Sequence, residues 1–304
     1  MPPAIELLYK RRPVEFMTYL LGLLGASNHF DPKDPFLRIS AKWEKIKIDK
    51  SHLHRFNKLC RITCHDNLSL LYPFTLVYPV FQRILGHKKA PLSMFRVLNT
   101  RMQVLQHRKI DIKENLSIEC NLTGYRVLAK GLEIYISSAV KSDGETVWEN
   151  IQTFYYRGSF GEADDSYTPP FFKPILDASI IDKWFLPQNT GRKFARFSGD
   201  GNPIHTSKIW ARKSGFKRDF AQPMFLLANS LERQQNVKSE YKIYLDVVLK
   251  GQIYYEHQVV VKGISGRSNT RFDLYCQENN RPCISGNIEF QKQNKTLSDL
   301  IMAA

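Results

Sequence analysis

The sequence predicts an α+β fold made of two related halves, each a curved antiparallel sheet wrapped around one central helix. Two observations carry this prediction. Segment 158–170 combines glycines, paired prolines and a local acidic cluster, a composition typical of a connection between structural units. On both sides of it, one long apolar helical pattern is followed by several strand patterns, which indicates a duplicated unit.

The first half begins this pattern with an apolar helix. Its apolar positions follow the i, i+3, i+4, i+7 spacing of a buried helix: Phe74, Val77, Tyr78, Phe81, Ile84 and Leu85. Pro73 suits the first helical position, where its missing N–H is no loss, and Gly86 is expected to end the helix. Pro79 lies inside the pattern and is expected to kink it. Three strand patterns follow, at 116–122, 132–136 and 147–156.

The second half repeats this order behind another proline, Pro223. Its helical positions are Met224, Leu227, Ala228 and Leu231. Four strand patterns follow, at 243–249, 258–261, 270–276 and 284–290. We therefore predict two domains, residues 1–160 with an N-terminal helical extension and residues 171–304 with the motif described below.

Composition places the chain among globular proteins. Of its 304 residues, 43% are hydrophobic and 24% are charged, so the chain can bury a core. No apolar run reaches the roughly 18 residues that a membrane span needs. The nearest candidate, 14–26, follows the basic run 10–12, which leaves a signal peptide and an amphipathic N-terminal helix as interpretations, and we favour the helix. Five scattered cysteines predict reduced thiols and a cytoplasmic location.

The chain is strongly basic, with 44 basic against 29 acidic side chains and a formal net charge of +15. Such a surface attracts polyanions: nucleic acid, an anionic membrane, or an acidic small molecule or carrier protein. Because no nucleic-acid-reading motif accompanies the charge, we expect no nucleic-acid partner. The chain also lacks a phosphate-binding glycine loop and a dinucleotide fingerprint, and we predict that it uses no cofactor.

One compact group has metal-ligand residue types: His52, His54, Cys60, Cys64 and His65. Its spacing matches neither a zinc ribbon nor a zinc finger, and no second cysteine pair completes it. We therefore predict no metal site and interpret these side chains as core or surface residues.

The chemistry is concentrated in residues 194–205, which read Phe-Ala-Arg-Phe-Ser-Gly-Asp-Gly-Asn-Pro-Ile-His. The glycines and the proline exclude a regular helix or a central strand, so we predict a structured turn that presents Asp200, Asn202 and His205. Histidine titrates near neutral pH, and a carboxylate beside it can hold a water or exchange a proton. From the residues alone, a surface turn with an incidental histidine remains the alternative.

The run Ser198–His205 resembles the signature of the MaoC-like, R-specific enoyl-thioester hydratase and dehydratase family, whose fold is the hotdog. Four further stretches extend the resemblance, to about 40–292 in all: 184–196, 206–218, 71–79 and 148–157. The resemblance implies a double hotdog whose N-terminal half is degenerate. That half has no copy of the Asp-x-Asn-Pro-x-His run, which implies one active site per chain.

The resemblance also implies a reaction in fatty-acid metabolism. It is the reversible hydration of trans-2-enoyl thioesters, or the dehydration of (3R)-hydroxyacyl thioesters, on coenzyme A or an acyl carrier protein. Asp200 and His205 would be the acid/base pair, with Asn202 as their orienter, and which of the pair activates the oxygen stays open. The implied substrate-binding residues are Ser198, Gly199, Pro223, Met224, Lys213 and Lys217.

The chain departs from the family at the start of the second central helix. The usual Ala-His-Gly-Met is Ala221-Gln-Pro-Met224 here. The glycine of the family supplies a backbone N–H to the thioester oxygen, whereas Pro223 has none to donate. Losing one such donor typically costs a factor of ~10²–10³ in rate. Gln222 also replaces a polar group of the site, so an impaired protein that only binds acyl thioesters is the alternative function.

Basic residues follow the motif closely: Lys208, Arg212, Lys213, Lys217 and Arg218. We interpret them as a site for the phosphates of coenzyme A or for the acidic face of a carrier protein, with a solvated surface as the alternative. Two hotdog halves complete the usual hotdog dimer within one chain. A monomer and a homodimer are therefore equally allowed.

Overall fold

The computed structural model describes seven stretches of the chain: 4–25, 30–63, 66–90, 92–175, 178–231, 242–277 and 279–291. The strands in these stretches are β1 (Ala4–Tyr9), β2 (Arg38–Ile46), β3 (Leu98–Gln106), β4 (Leu116–Leu128), β5 (Gly131–Ser142), β6 (Glu145–Arg157), β7 (Ser179–Phe185), β8 (Lys242–Leu249), β9 (Gln258–Ser265), β10 (Asn269–Cys276) and β11 (Ile284–Gln291). The helices are α1 (Glu15–Gly25), α2 (Lys50–Cys60), α3 (Tyr72–Leu85), α4 (Thr190–Ser198), α5 (Lys208–Lys213) and α6 (Pro223–Leu231), with a 3₁₀ turn at Pro203–His205.

The strands form one continuous 11-stranded sheet in the order β1-β2-β4-β5-β6-β3-β8-β11-β10-β9-β7. The first six strands in that order come from the N-terminal half and the other five from the C-terminal half. All pairings among the described strands are antiparallel except that of β1 with β2, which is parallel. The predicted α+β class is confirmed, and the two predicted sheets prove to be joined edge to edge.

The central helix of the N-terminal half is α3, and almost all of its side chains are buried. It begins at Tyr72, one residue before the predicted Pro73, and it ends at Gly86, whose backbone N–H caps the last turn. The helix continues through Pro79. Behind it, the indole of the fully buried Trp148 donates to the Leu70 carbonyl at 2.9 Å, which ties β6 to the entry of the helix.

The central helix of the C-terminal half is α6, which begins at Pro223 as the sequence predicts. All its described positions from Met224 to Leu231 are buried. Apolar burial on this scale, at roughly 25 cal/mol per Å² of apolar surface, is the main force that holds each sheet around its helix. The four strands predicted after this helix are confirmed as β8 to β11.

The halves meet where β3 pairs with β8. Arg101 on β3 makes a bidentate ion pair with Asp246 on β8, at 2.9 and 2.7 Å, with both side chains mostly buried. Beside it, the Gln103 amide donates to the Tyr244 hydroxyl at 2.9 Å. Polar side chains on a central strand are tolerated here because each has a partner across the pair.

Three other sequence predictions have structural counterparts. The N-terminal helix is confirmed as α1, although Ala26 lies outside the described residues. The predicted connection lies between the end of β6 at Arg157 and the start of β7 at Ser179, and the domain limits themselves stay a prediction. Within the described stretches, no helix is both long and apolar enough to cross a membrane.

Candidate active site

The predicted catalytic loop begins where α4 ends. Gly199 follows the last helical residue with φ of 77°, a left-handed conformation that side chains with a Cβ rarely adopt, and its N–H donates to the Ala195 carbonyl. The chain therefore turns sharply out of the helix. It passes through Asp200 and closes with the short 3₁₀ turn that ends at His205.

Buried polar groups hold this loop from behind. The Ser198 hydroxyl donates to the Phe194 carbonyl and accepts the Asp200 N–H, both at 3.1 Å. The fully buried Gln222 amide donates to the carbonyls of Gly191 and Asp200, at 3.1 and 3.2 Å. Because Gln222 directly precedes α6, these bonds connect the loop to the start of that helix. Each of these bonds stabilises the loop by about 1 kcal/mol.

Asn202 fixes the second part of the loop. Its side-chain oxygen accepts the Ile204 N–H at 3.3 Å, and its own N–H lies 3.4 Å from Asp200 Oδ1. This is the capping geometry by which asparagine begins a turn. Asn202 thus shapes the turn between Asp200 and His205, and its role as an orienter of that pair stays a prediction.

His205 is held at both its ring and its carbonyl. Its Nδ1 lies 2.9 Å from the Phe220 carbonyl, which can only accept, so Nδ1 carries the proton and Nε2 is the free acceptor in the neutral ring. The buried Tyr255 hydroxyl donates to the His205 carbonyl at 2.8 Å. Burial raises the pKa of Tyr255, so this donor stays protonated. A Cβ on Gly191 would lie 2.0 Å from that hydroxyl, and only glycine fits there.

Asp200 lies beside His205, with 3.9 Å between Asp200 Oδ2 and His205 Nε2. Its other oxygen, Oδ1, accepts a 2.7 Å hydrogen bond from the hydroxyl of Tyr78 on α3. Tyr78 is buried, and its burial and the neighbouring Asp200 charge raise its pKa well above the usual value. The hydroxyl therefore remains a donor, and it leaves Oδ2 as the oxygen that faces the histidine.

These groups border a cavity of about 240 Å³ that both halves of the chain line. Asp200, Asn202 and His205 lie on its wall together with Pro223 and Met224. Most of the remaining wall is apolar, and its side chains include Phe74, Phe81, Met94, Met102, Phe154 and Leu227. An apolar cavity with a few convergent polar groups is the usual form of a small-molecule site.

The other residues predicted to bind substrate lie elsewhere. Ser198 and Gly199 support the loop from behind and are not part of the described cavity wall. Lys213 and Lys217 are exposed, on either side of Phe216, which does line the cavity. The structure thus places these lysines near the cavity and outside its wall.

Comparison with known proteins supports the same fold. No protein-family model matches the chain. It is 24% identical over 185 residues to 3-hydroxyacyl-thioester dehydratase X of Mycobacterium tuberculosis, a match that covers 61% of this chain and 66% of that protein. The matched region therefore spans slightly less than two thirds of the relative.

Solved structures agree over more of the chain. The structure of HtdX from M. tuberculosis matches with a TM-score of 0.70 and 18% identity, over 83% of this chain and all (100%) of that one. A MaoC-like dehydratase from Phytophthora capsici matches with a TM-score of 0.68 and 14% identity, over 84% and 95%. Another M. tuberculosis protein, described as a double hotdog, matches with a TM-score of 0.53 and 9% identity, over 82% and 94%. This chain is a double hotdog. The predicted resemblance to the MaoC-like family is confirmed.

In this double hotdog, the sequence prediction missed the contribution of the N-terminal half to the site. The sequence pattern marks Tyr78 only as an apolar position of the first central helix, yet its hydroxyl donates a hydrogen bond to Asp200, 122 residues away in the chain. In the sequence, Gln222 indicates only that a polar group of the site is replaced, whereas in the structure its amide supports the loop. Local sequence carries no signal for the Tyr78 contact, because only the packing of the two halves creates it.

In the double hotdog, the best-defined member of the group with metal-ligand residue types, His52, makes hydrogen bonds within the protein. The ring of His52 lies 3.0 Å from the Tyr72 hydroxyl and 3.1 Å from the Phe197 carbonyl, just before the loop that carries Asp200. Burial lowers the pKa of His52. Cys60 is buried, and Cys64 and His65 lie outside the described residues. Among the described residues, no three side chains of ligand type come close enough to hold a metal.

Proposed function

We propose that this protein interconverts (3R)-3-hydroxyacyl thioesters and trans-2-enoyl thioesters by removing or adding water. The observation that carries the proposal is the pair Asp200 and His205, which face each other at 3.9 Å on the wall of an apolar cavity. The names of the relatives, among them a 3-hydroxyacyl-thioester dehydratase, support the same reaction class.

The geometry suits one water molecule between the two residues. Since His205 Nδ1 donates to the Phe220 carbonyl, Nε2 is an acceptor, and Asp200 Oδ2 is an acceptor as well. Two acceptors 3.9 Å apart are close enough for one water to donate a hydrogen to each. The lone pairs of that water then point away from both residues, toward a substrate in the cavity.

Hydration needs a nucleophile at C3 and a proton at C2. The water oxygen adds to C3 while the pair accepts one of its protons, and the electrons of the double bond move toward the thioester as an enolate. A proton from the pair then forms the new bond at C2, so the pair ends in the state in which it began. Dehydration follows the same steps in reverse, with proton removal at C2 and loss of the C3 hydroxyl as water.

The enolate oxygen needs a hydrogen-bond donor. α6 begins beside the cavity, and the positive end of its dipole and its first free N–H groups would stabilise a negative oxygen there. Because Pro223 has no N–H, the first amide that can donate is that of Met224. We propose the Met224 N–H as the oxyanion donor.

This proposal is tested by incubating the wild-type protein with a trans-2-enoyl coenzyme A ester and following loss of the conjugated double bond. The expected product is the 3-hydroxyacyl ester, and chiral chromatography is expected to show the 3R form. Enoyl ester that stays unchanged at high protein concentration, or a 3S product, would contradict the proposal.

We propose that Lys213 and Lys217 bind the phosphates of coenzyme A when the substrate is a coenzyme A thioester. Both lysines flank Phe216 at the cavity and can reach phosphates outside it. The charge reversal Lys213→Glu with Lys217→Glu is expected to raise KM for coenzyme A esters roughly 3–10-fold at low salt and to change kcat little, because such contacts act equally on ground and transition states.

The control for the lysine variant is Arg267→Glu with Arg281→Glu, which makes the same change of charge at exposed turns that bound β10. This control is expected to leave KM unchanged. Equal KM values for the lysine variant and the wild type at low salt would assign Lys213 and Lys217 to the solvated surface.

Tyr78 is expected to be a positioning residue for Asp200. Tyr78→Phe removes the hydrogen bond to Oδ1 and leaves the carboxylate free to rotate, so kcat is expected to fall about tenfold or more while KM changes less than about twofold. The matched control is Tyr156→Phe, which removes a buried hydroxyl of the same half away from the cavity wall. An equal loss of kcat in both variants would reduce Tyr78 to a general packing role.

A binder of acyl thioesters without catalysis is the second candidate function, and the specific observation in its favour is Pro223 at the start of α6. A cavity that keeps its apolar wall would still bind the acyl group when the oxyanion donor is lost. Binding of a 3-hydroxyacyl ester, measured by calorimetry, together with no turnover would favour this function.

We keep the cytoplasmic location as a proposal. Among the described cysteines, Cys120, Cys276 and Cys283 are buried free thiols, which agrees with a reducing compartment.

A further inference from the structure

Helix α1 has an unusual apolar surface on the side that faces away from the protein. Thr18 on its inner side is almost fully buried, whereas Phe16 is 72% exposed and Leu20 is 36% exposed. Met17 and Leu21 are exposed beside them, and the spacing 16, 17, 20, 21 places all four on one side of the helix. We refer to these four residues as the outer face of α1.

Neighbouring residues extend this apolar surface to the cavity. The ring of Tyr19 on α1 lies 6.2 Å from that of Phe95, and both Phe95 and Leu98 are exposed. Tyr19 and Leu98 are also part of the cavity wall. The outer face of α1 is therefore continuous with side chains that border the candidate active site.

Exposed basic residues surround this surface. Lys10 and Arg11 lie four to five residues before the start of α1, and Arg96 follows Phe95. Lys88 lines the groove between β1 and α1 together with Leu21, and Lys89 is exposed next to it. Large exposed apolar patches on proteins usually mark interaction sites, and here five cations flank one.

We propose that the outer face of α1 docks on an anionic membrane surface. Helices that lie in the bilayer interface combine a face of Phe and Leu with flanking lysines and arginines, which are attracted to anionic headgroups. α1 has 11 residues and is about 16 Å long, so it fits flat in the interface and cannot span it.

Charge decides against a second copy of this chain as the occupant. A two-fold interface brings the same patch of both copies together, so the basic residues around the outer face would meet one another and repel. An anionic bilayer matches both features of the surface, because headgroups meet the cations while the acyl region takes Phe16 and Leu20. The net charge of +15 favours the same partner at long range.

The experiment is co-sedimentation of the full chain with phospholipid vesicles, either phosphatidylcholine alone or phosphatidylcholine with phosphatidylglycerol at equal amounts. The first variant, Phe16→Ser with Leu20→Ser, removes apolar side chains that are exposed. The second, Lys88→Glu with Lys89→Glu, reverses two flanking charges. Their controls are Ile180→Ser with Ile181→Ser, two exposed residues of the edge strand β7, and Arg267→Glu with Arg281→Glu.

We expect the wild type to bind the anionic vesicles and to bind the neutral ones at least about tenfold more weakly. Both α1-side variants are expected to lose at least about tenfold in affinity for anionic vesicles, and both controls to keep the wild-type value. Circular dichroism and thermal melting verify that each variant is folded. The measurement uses no substrate, so it is independent of the proposed reaction.

Three outcomes would overturn the proposal. The first is equal binding of the wild type to neutral and anionic vesicles, or binding to neither. The second is wild-type affinity for anionic vesicles in the Phe16/Leu20 variant. The third is a concentration-dependent dimer in sedimentation velocity that this variant abolishes, which would assign the outer face of α1 to a second copy.

Discussion

Replacing Asp200 with asparagine is expected to lower kcat for enoyl-thioester hydration by ~10²-fold or more, and His205→Ala is expected to do the same. Asparagine keeps the shape of the side chain and its hydrogen bond from Tyr78, but an amide cannot take a proton from water. Alanine removes Nε2, the second acceptor. Steady-state kinetics with an enoyl coenzyme A ester, with calorimetric binding of the product, measures both effects.

The two substitutions also test whether the pair acts as a unit. If one water and one proton pass between Asp200 and His205, the double variant is expected to be no slower than the slower single variant, because either loss already disables the step. The control His107→Ala removes an imidazole that pairs with Glu149 away from the cavity and is expected to keep wild-type kcat. Additive losses in the double variant would mean that the residues act in separate steps, and full activity in either single variant would remove the proposed mechanism.

The turn that carries the candidate catalytic residues is the part of the site that local sequence determines. Asp200, Asn202 and His205 lie within six residues, and the neighbouring glycines and proline favour a turn whatever the rest of the chain does. The structure brings all three to one cavity wall. Contacts from other parts of the chain carry no such signal, as Tyr78 shows, because the pairing of the two halves decides which helical side chain meets Asp200.

The same division holds for the fold. The strands that alternate between core and solvent, such as β4 and β9, are the ones that the sequence predicts. The central strand β3 was not, because Arg101 and Gln103 are polar and are buried against partners on β8 that only the joined sheet supplies. The strand β2 does alternate, with Ile39, Ala41 and Trp43 buried, so its signal was present in the sequence. The parallel pairing of β1 with β2 depends on the path of α1, which the sequence does not determine.

Pro223→Gly is expected to raise kcat for hydration, by at most the factor of ~10²–10³ that one oxyanion donor is worth. Pro223 is the first residue of α6 and lies on the cavity wall, where first-turn N–H groups have no helical partner. Glycine adds an N–H at this position, beside that of Met224. The cost is a loss of about 1 kcal/mol or less in the free energy of unfolding, because glycine makes the unfolded chain more flexible.

Two further variants separate the new donor from the added flexibility. Pro223→Ala also supplies an N–H but is stiffer than glycine, so it is expected to raise kcat as well. Pro73→Gly makes the same change in the first turn of α3 and is expected to lower stability without any gain in kcat. If the wild type turns over rapidly and both Pro223 variants are slower, the proline is part of a working site in which the Met224 N–H is sufficient. If the wild type and both Pro223 variants bind the thioester but do not turn it over, the protein is a binding protein. The missing N–H at residue 223 is then not the cause of the lack of activity.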